Sequence, residues 1–178
     1  MVKLIIGAVI AVFLVIGGFL LLDPMINQGQ TAGTVEVVES HTYTIEGEVV
    51  KVGTYTLSDA VTMADLIEAA GGVSANADDR AYYESAPLTA GQTYYIASKY
   101  DASDVCGNSQ IEKVNINTDD ATSMMSINGI TSSIASSIVS YRSENGSFQT
   151  LEQLKEVYGI GDATYRRVRN YVILHEIE

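Results

Sequence analysis

The 178-residue chain has one cysteine, two prolines and two histidines, and its 10 lysines and arginines face 22 aspartates and glutamates. A lone Cys106 excludes an intrachain disulfide framework and leaves either a free thiol or a single bridge to another chain. So few prolines, beside 15 glycines and 47% hydrophobic residues, exclude a disordered chain. His41 and His175 have no cysteine, histidine or carboxylate at ligand spacing, so neither a metal nor a cofactor is expected. Neither G-x-S-x-G nor H-E-x-x-H occurs, and no nucleophile–base pair stands out, so the sequence does not read as an enzyme. Basic residues are scarcest in the middle: Asp23 to Ile111 holds 13 acidic and 3 basic residues, Glu112 to Glu178 holds 9 and 6. The middle segment should repel a polyanion, and any attraction is confined to the C-terminal one.

What is present first is a run of 19 uncharged residues, Leu4 to Leu22. As a helix it spans roughly 28 Å, the thickness of a bilayer's hydrocarbon core. Lys3 precedes it and Asp23 follows, which places the N-terminus in the cytoplasm and the remainder outside. A cleaved signal peptide is the competing reading. Its apolar core would be shorter, about 7–15 residues, and would end in an A-x-A-like site. The run is therefore read as a single-pass anchor, residues 1–23, followed by a stalk at 24–34.

Residues 35–98 alternate polar and apolar positions rich in Val, Thr and Tyr, broken by Gly47 and Gly53, which is hairpin chemistry. Met63, Leu66, Ile67 and Ala70 then mark one helical face, with Thr62 to cap it and Gly71–Gly72 to stop it. Two further short strands are expected around a turn at Ala90–Gly91. One helix across a small mixed sheet is an α+β domain. A polar linker, 99–111, leads to an all-α segment, 112–178. There a helix from Asn117–Thr118 to about Ile127 and one from Ser132 to about Arg142 flank Gly129-Ile130-Thr131. A helix opened by a Thr150–Gln153 capping box and one from Asp162 to about Leu174 flank Gly159-Ile160-Gly161. The two turns lie 30 residues apart.

In such a turn the first glycine takes positive φ and permits close approach, while Ile130 or Ile160 tucks into the core. The amides opening the next helix lack internal partners and carry the positive end of its dipole, so they can donate to a phosphate without side-chain charge. Arg166, Arg167 and Arg169 stand beside the second turn. On a helix, Arg166 with Arg169, or Arg167 with Asn170, would flank it.

"YTIEGEVVKVGTYTL", "TMADLIEAAGGVSANAD" and "LTAGQTYYIAS" resemble the SLBB domain, a β-grasp fold regarded as a ligand-binding or self-associating module. From Lys113 to Val172, the V-N-I-N-T lead-in, both G-I-x turns, Y-R-x-x-N-G-x-F and L-x-x-V-x-G-I-G follow in the order of the tandem helix-hairpin-helix domain of ComEA-type competence proteins. That resemblance implies a membrane-anchored receptor that captures double-stranded DNA for uptake in transformation; because no helix rich in Arg, Asn or Gln is offered to a groove, binding is expected through backbone phosphates without sequence preference. The resemblance also implies oligomerisation through the domain preceding the hairpins and a neighbouring DNA-transport channel protein. The resemblance together with the residues' own chemistry gives as candidate DNA-binding residues Gly129, Ile130, Thr131, Ser132, Ser133, Gly159, Ile160, Gly161, Ala163, Arg166, Arg167 and Arg169. The first turn departs from the family's P-G-I-G-plus-lysine form. It reads Asn128-Gly129-Ile130-Thr131-Ser132-Ser133, which offers hydroxyls but no charge, and Asp162 follows the second turn. The alternative is a cell-envelope interaction module. Its SLBB-like domain would bind a glycan or protein, and its helices would only pack.

Overall fold

The stretch after position 39 folds as its alternation predicts. In the computed structural model, which describes residues 39–58, 60–101 and 109–177, β1 (Ser40–Gly47) buries Tyr43 and Ile45 and exposes Thr42 and Glu46. It pairs antiparallel with β2 (Gly53–Ser58) and parallel with β3 (Thr93–Ile96), giving the order β2-β1-β3. The apolar N-terminal run, the stalk and Cys106 lie outside the described residues. Among the described residues no helix is long and apolar enough to cross a membrane.

Helix α1 (Met63–Ala69) lays Met63 and Leu66 on the buried face of this sheet, beside Tyr43, Ile45, Tyr94 and Ile96. Thr62 and Asp65 close the start of α1, the Thr62 amide and hydroxyl donating to Asp65 Oδ2 at 2.8 and 2.6 Å. Thr62→Ala should lower stability by about 1 kcal/mol, read as a shift in the urea midpoint. Only one of the two strands expected around Ala90–Gly91 forms. Upstream of it, the carbonyls of Glu84 and Ala86 accept from the first amides of α1, Ala64 and Met63, which leaves no ladder for a second strand.

In the helical half, β4 (Val114–Asn115) leads to α2 (Ala121–Met124), capped by Asp120 and shorter than the span from Asn117 to Ile127 that the sequence suggests. Residues 115–119 form a polar turn instead. Asn117 there donates to the carbonyls of Phe148 and Leu174 and accepts from the Phe148 amide, tying three distant segments together. Helix α3 (Ser132–Asn145) follows. The third helical segment, Leu151–Glu156, is 3₁₀, with Gln153 Oε1 accepting from the Gln149 and Thr150 amides as the capping pattern predicts.

Helix α4 (Asp162–Val168) ends six residues before Leu174. Val172, Ile173 and Leu174 are all buried, and the first two form β5 (Val172–Ile173), parallel to β4. Three consecutive inward positions suit a strand between packed layers and not a one-sided helix.

The two halves meet over a polar junction. The Glu152 carboxylate accepts from the Tyr95 amide on the edge of β3 and from the Tyr165 hydroxyl. Asn170 accepts from the Ser98 amide and hydroxyl. Asp78, fully buried, accepts from Arg80 at 3.0 Å and faces Lys113 Nζ at 2.8 Å. The ends of the polar stretch 99–111 pair with each other through a Tyr100–Gln110 bridge.

Candidate nucleic-acid interface

Both glycine turns have one geometry. The Ile130 amide donates to Ile127 and the Ile160 amide to Val157, each at 3.0 Å. Gly129 and Gly159 sit at φ +111° and +94°, which L side chains resist. Ile130 and Ile160 are buried, so they offer a ligand main-chain groups only.

The glycines also serve packing. A Cβ on Gly129 would meet Arg167 Cδ at 2.9 Å, and one on Gly159 would meet Ile134 Cγ1 at 3.2 Å. Each hairpin's glycine therefore approaches the second helix of the other hairpin, and the partner admitted by their close approach is the protein itself. This reciprocal contact sets the two turns side by side.

The helix starts differ. At α3 the Thr131 hydroxyl accepts from the Ile134 amide at 3.3 Å, so one of the first amides is already used, and Ser132 and Ser133 are exposed beside it. At α4 the cap is Gly161, which has no side chain to offer. Among the described residues, no side chain bonds the amides of Asp162, Ala163 or Thr164. The space over Gly161 is open, with nothing within 4 Å of where a Cβ would stand.

The arginines separate. Arg166 and Arg167 are exposed and share a helix face with Ala163, opposite the buried Tyr165 and Val168. Arg169 is committed elsewhere. Its guanidinium lies 3.6 Å from the centroid of the Tyr95 ring and 3.3 Å from Glu46 Oε2. Asn170 is held by Ser98. The expected pairings of Arg166 with Arg169 and of Arg167 with Asn170 therefore do not form, and the free pair is Arg166 with Arg167. The helix ends at Val168, so the residues after it turn toward the sheet.

Beneath this face, burial pushes the Glu152 carboxyl up, against the Tyr165 hydrogen bond that draws it down. Burial, then the neighbouring Glu152 charge and hydrogen bond, push the Tyr165 hydroxyl well above its ordinary range. That hydroxyl stays protonated as a donor, anchoring α4 to the segment before it.

Two residues have roles that the sequence reading did not assign. One is Asn117, whose role depends on segments remote in sequence. The other is Tyr158, immediately before Gly159 and 86% exposed.

Residues 109–173 match the family model of the helix-hairpin-helix motif. ComE operon protein 1 of Bacillus subtilis (strain 168) is 31% identical over 152 residues, 80% of this chain and 74% of that protein. An uncharacterized protein of Haemophilus influenzae (strain ATCC 51907 / DSM 11121 / KW20 / Rd) is 44% identical over 63 residues, 35% of this chain and 56% of its own length. Bos taurus endonuclease/exonuclease/phosphatase family domain-containing protein 1 is 43% identical over 60 residues, 34% of this chain but only 10% of that protein. The Bacillus likeness, reaching well beyond the helical module and spanning most of both chains, shows that this chain belongs to the ComEA-type competence protein family.

Proposed function

We propose that the protein is a receptor for double-stranded DNA in natural transformation, anchored by its N-terminal segment with the sheet and helices outside the membrane. It grips the phosphate backbone through the second hairpin and reads no bases. The observation that carries this reading is the start of α4, where uncapped amides, open space over Gly161 and the exposed Arg166 and Arg167 meet on one face. A phosphate there gains main-chain hydrogen bonds, the helix dipole and two guanidinium groups together. The first hairpin adds hydroxyls without charge, so it positions the duplex and contributes little to salt dependence. Self-association through the SLBB-like half would array several such sites and raise avidity, handing the duplex to a transport channel.

With Arg169 withdrawn, about two phosphates are neutralised. Affinity for a random-sequence duplex should then fall roughly tenfold between 50 and 200 mM salt, not the hundredfold that two charged hairpins would give. Titration of the full-length protein across that range tests the reading. Replacing Arg166 and Arg167 together by alanine should bring the slope close to zero. If the wild-type protein leaves the duplex unbound at low salt, the receptor reading fails and the envelope-module reading takes its place.

A further inference from the structure

The reciprocal packing of the hairpins creates two related grooves. In one, Ile127 and Asn128 at the tip of the first hairpin face Arg167 and Tyr171. In the other, a space of about 600 Å³, Val157 and Tyr158 at the tip of the second face Ser137 and Tyr141. The positions correspond one for one at the 30-residue offset, and their chemistry is exchanged. Where the first groove has an arginine, the second has a serine, and where the first tip has an asparagine, the second has a tyrosine.

Tyr158 has the largest exposed fraction of any large hydrophobic residue described. Among the described residues its hydroxyl has no hydrogen-bond partner, so nothing within the fold holds the ring. It adjoins Gly159, on the same turn as the uncapped amides of α4. Glu156, bonded by the Tyr141 hydroxyl at 2.7 Å, and Glu144 line the same groove and keep phosphates out of it. Only an uncharged part of a nucleic acid can lie against that side of the turn.

We infer that Tyr158 is a contact residue for the duplex, its ring packing on the deoxyribose next to the phosphate held at Gly159–Ala163. This rests on the DNA-receptor reading and adds to it a component of affinity that does not depend on salt. The contact suits this chain, because its net charge of −12 leaves long-range attraction weak. An aromatic ring against a sugar supplies affinity by apolar burial and dispersion, which screening does not weaken.

The test is fluorescence-anisotropy titration of the full-length protein with a labelled random-sequence duplex, at low and at high salt, for the wild type, Tyr158→Ala and Tyr158→Phe. Tyr158→Ala should lose about tenfold in affinity at both salt concentrations with an unchanged slope, and Tyr158→Phe should bind like the wild type. The melting temperature of Tyr158→Ala should match the wild type, because the ring is exposed. Binding by Tyr158→Ala within about twofold of the wild type overturns the inference, as does a loss that vanishes at high salt or an equal loss in Tyr158→Phe. Wild-type protein that does not bind duplex overturns the receptor reading itself, and this inference with it.

Discussion

Asp78→Ala should cost about 3–5 kcal/mol, because it strands a buried ammonium. Asp78 is fully buried and the Lys113 side chain is 1% exposed, with Nζ 2.8 Å from Asp78 Oδ2. No other side-chain acceptor serves Lys113 Nζ among the described residues, so alanine leaves it buried without a counter-ion, near the like charges of Arg80 and Lys99. Arg80, whose Nε and Nη2 each lie 3.0 Å from the same carboxylate, loses both hydrogen bonds and keeps only the longer contact to Glu176 at 3.7 Å. Asp78 belongs to the sheet half and Lys113 opens the helical half, so the junction loosens as well as the pair. For a chain of this size the loss should lower the melting temperature by roughly 6–20 °C. By contrast, the part-exposed Arg169–Glu46 ion pair should count for about 1 kcal/mol or less.

The same carboxylate sets an acid limb. Burial alone would raise its pKa, but the Arg80 hydrogen bonds and the adjacent Lys113 ammonium outweigh that and hold it at about 2, against an ordinary 3.8. A depressed folded pKa contributes stability that is complete above the unfolded value and is lost as pH falls through the folded one. Wild-type stability should therefore decline from about pH 4 toward pH 2, and this component of the decline should be missing in Asp78→Ala. An alanine variant that melts like the wild type would show that the junction does not depend on this pair.

The second large effect separates two glycines that look alike in sequence. Gly159→Val places a β-branched residue at φ +94° and its Cβ 3.2 Å from Ile134 Cγ1. Strain of about 1–3 kcal/mol and overpacking of similar size should melt the hairpin contact and remove DNA binding together. Gly161→Val meets neither obstacle, since its φ is −92° and its Cβ would stand in open space. Its melting temperature should stay within a few degrees of the wild type. Its affinity for duplex should nevertheless fall at least about tenfold, because the side chain occupies the approach to the α4 amides. Calorimetry and duplex titration on both variants test this. A Gly161→Val protein that binds normally would remove the α4 start from the interface.

Much of this was legible from residues close together in the chain. The Met63–Leu66–Ala70 spacing marked a buried helix face, and Thr62–Asp65 and Thr150–Gln153 close their helices within four residues. Gly129 and Gly159 take positive φ because a tight turn leaves no other conformation. The end of the last helix was not legible. Tyr165 to Leu174 reads as continuous helix by local preference. Asn170 instead meets Ser98, and Val172 meets Val114.

The sequence by itself thus settled the turns, the caps and the family pattern, since each depends on backbone geometry and hydrogen bonds spanning only a few residues. The tertiary structure alone decided which cations remain free. Arg169 and Arg166 are three residues apart on one short segment, yet Arg169 is taken by Tyr95 and by Glu46, the latter 123 positions away, while Arg166 is left to solvent. Whether a charge is available to a ligand depends on its neighbours in space, and these are supplied by segments of the chain remote in sequence.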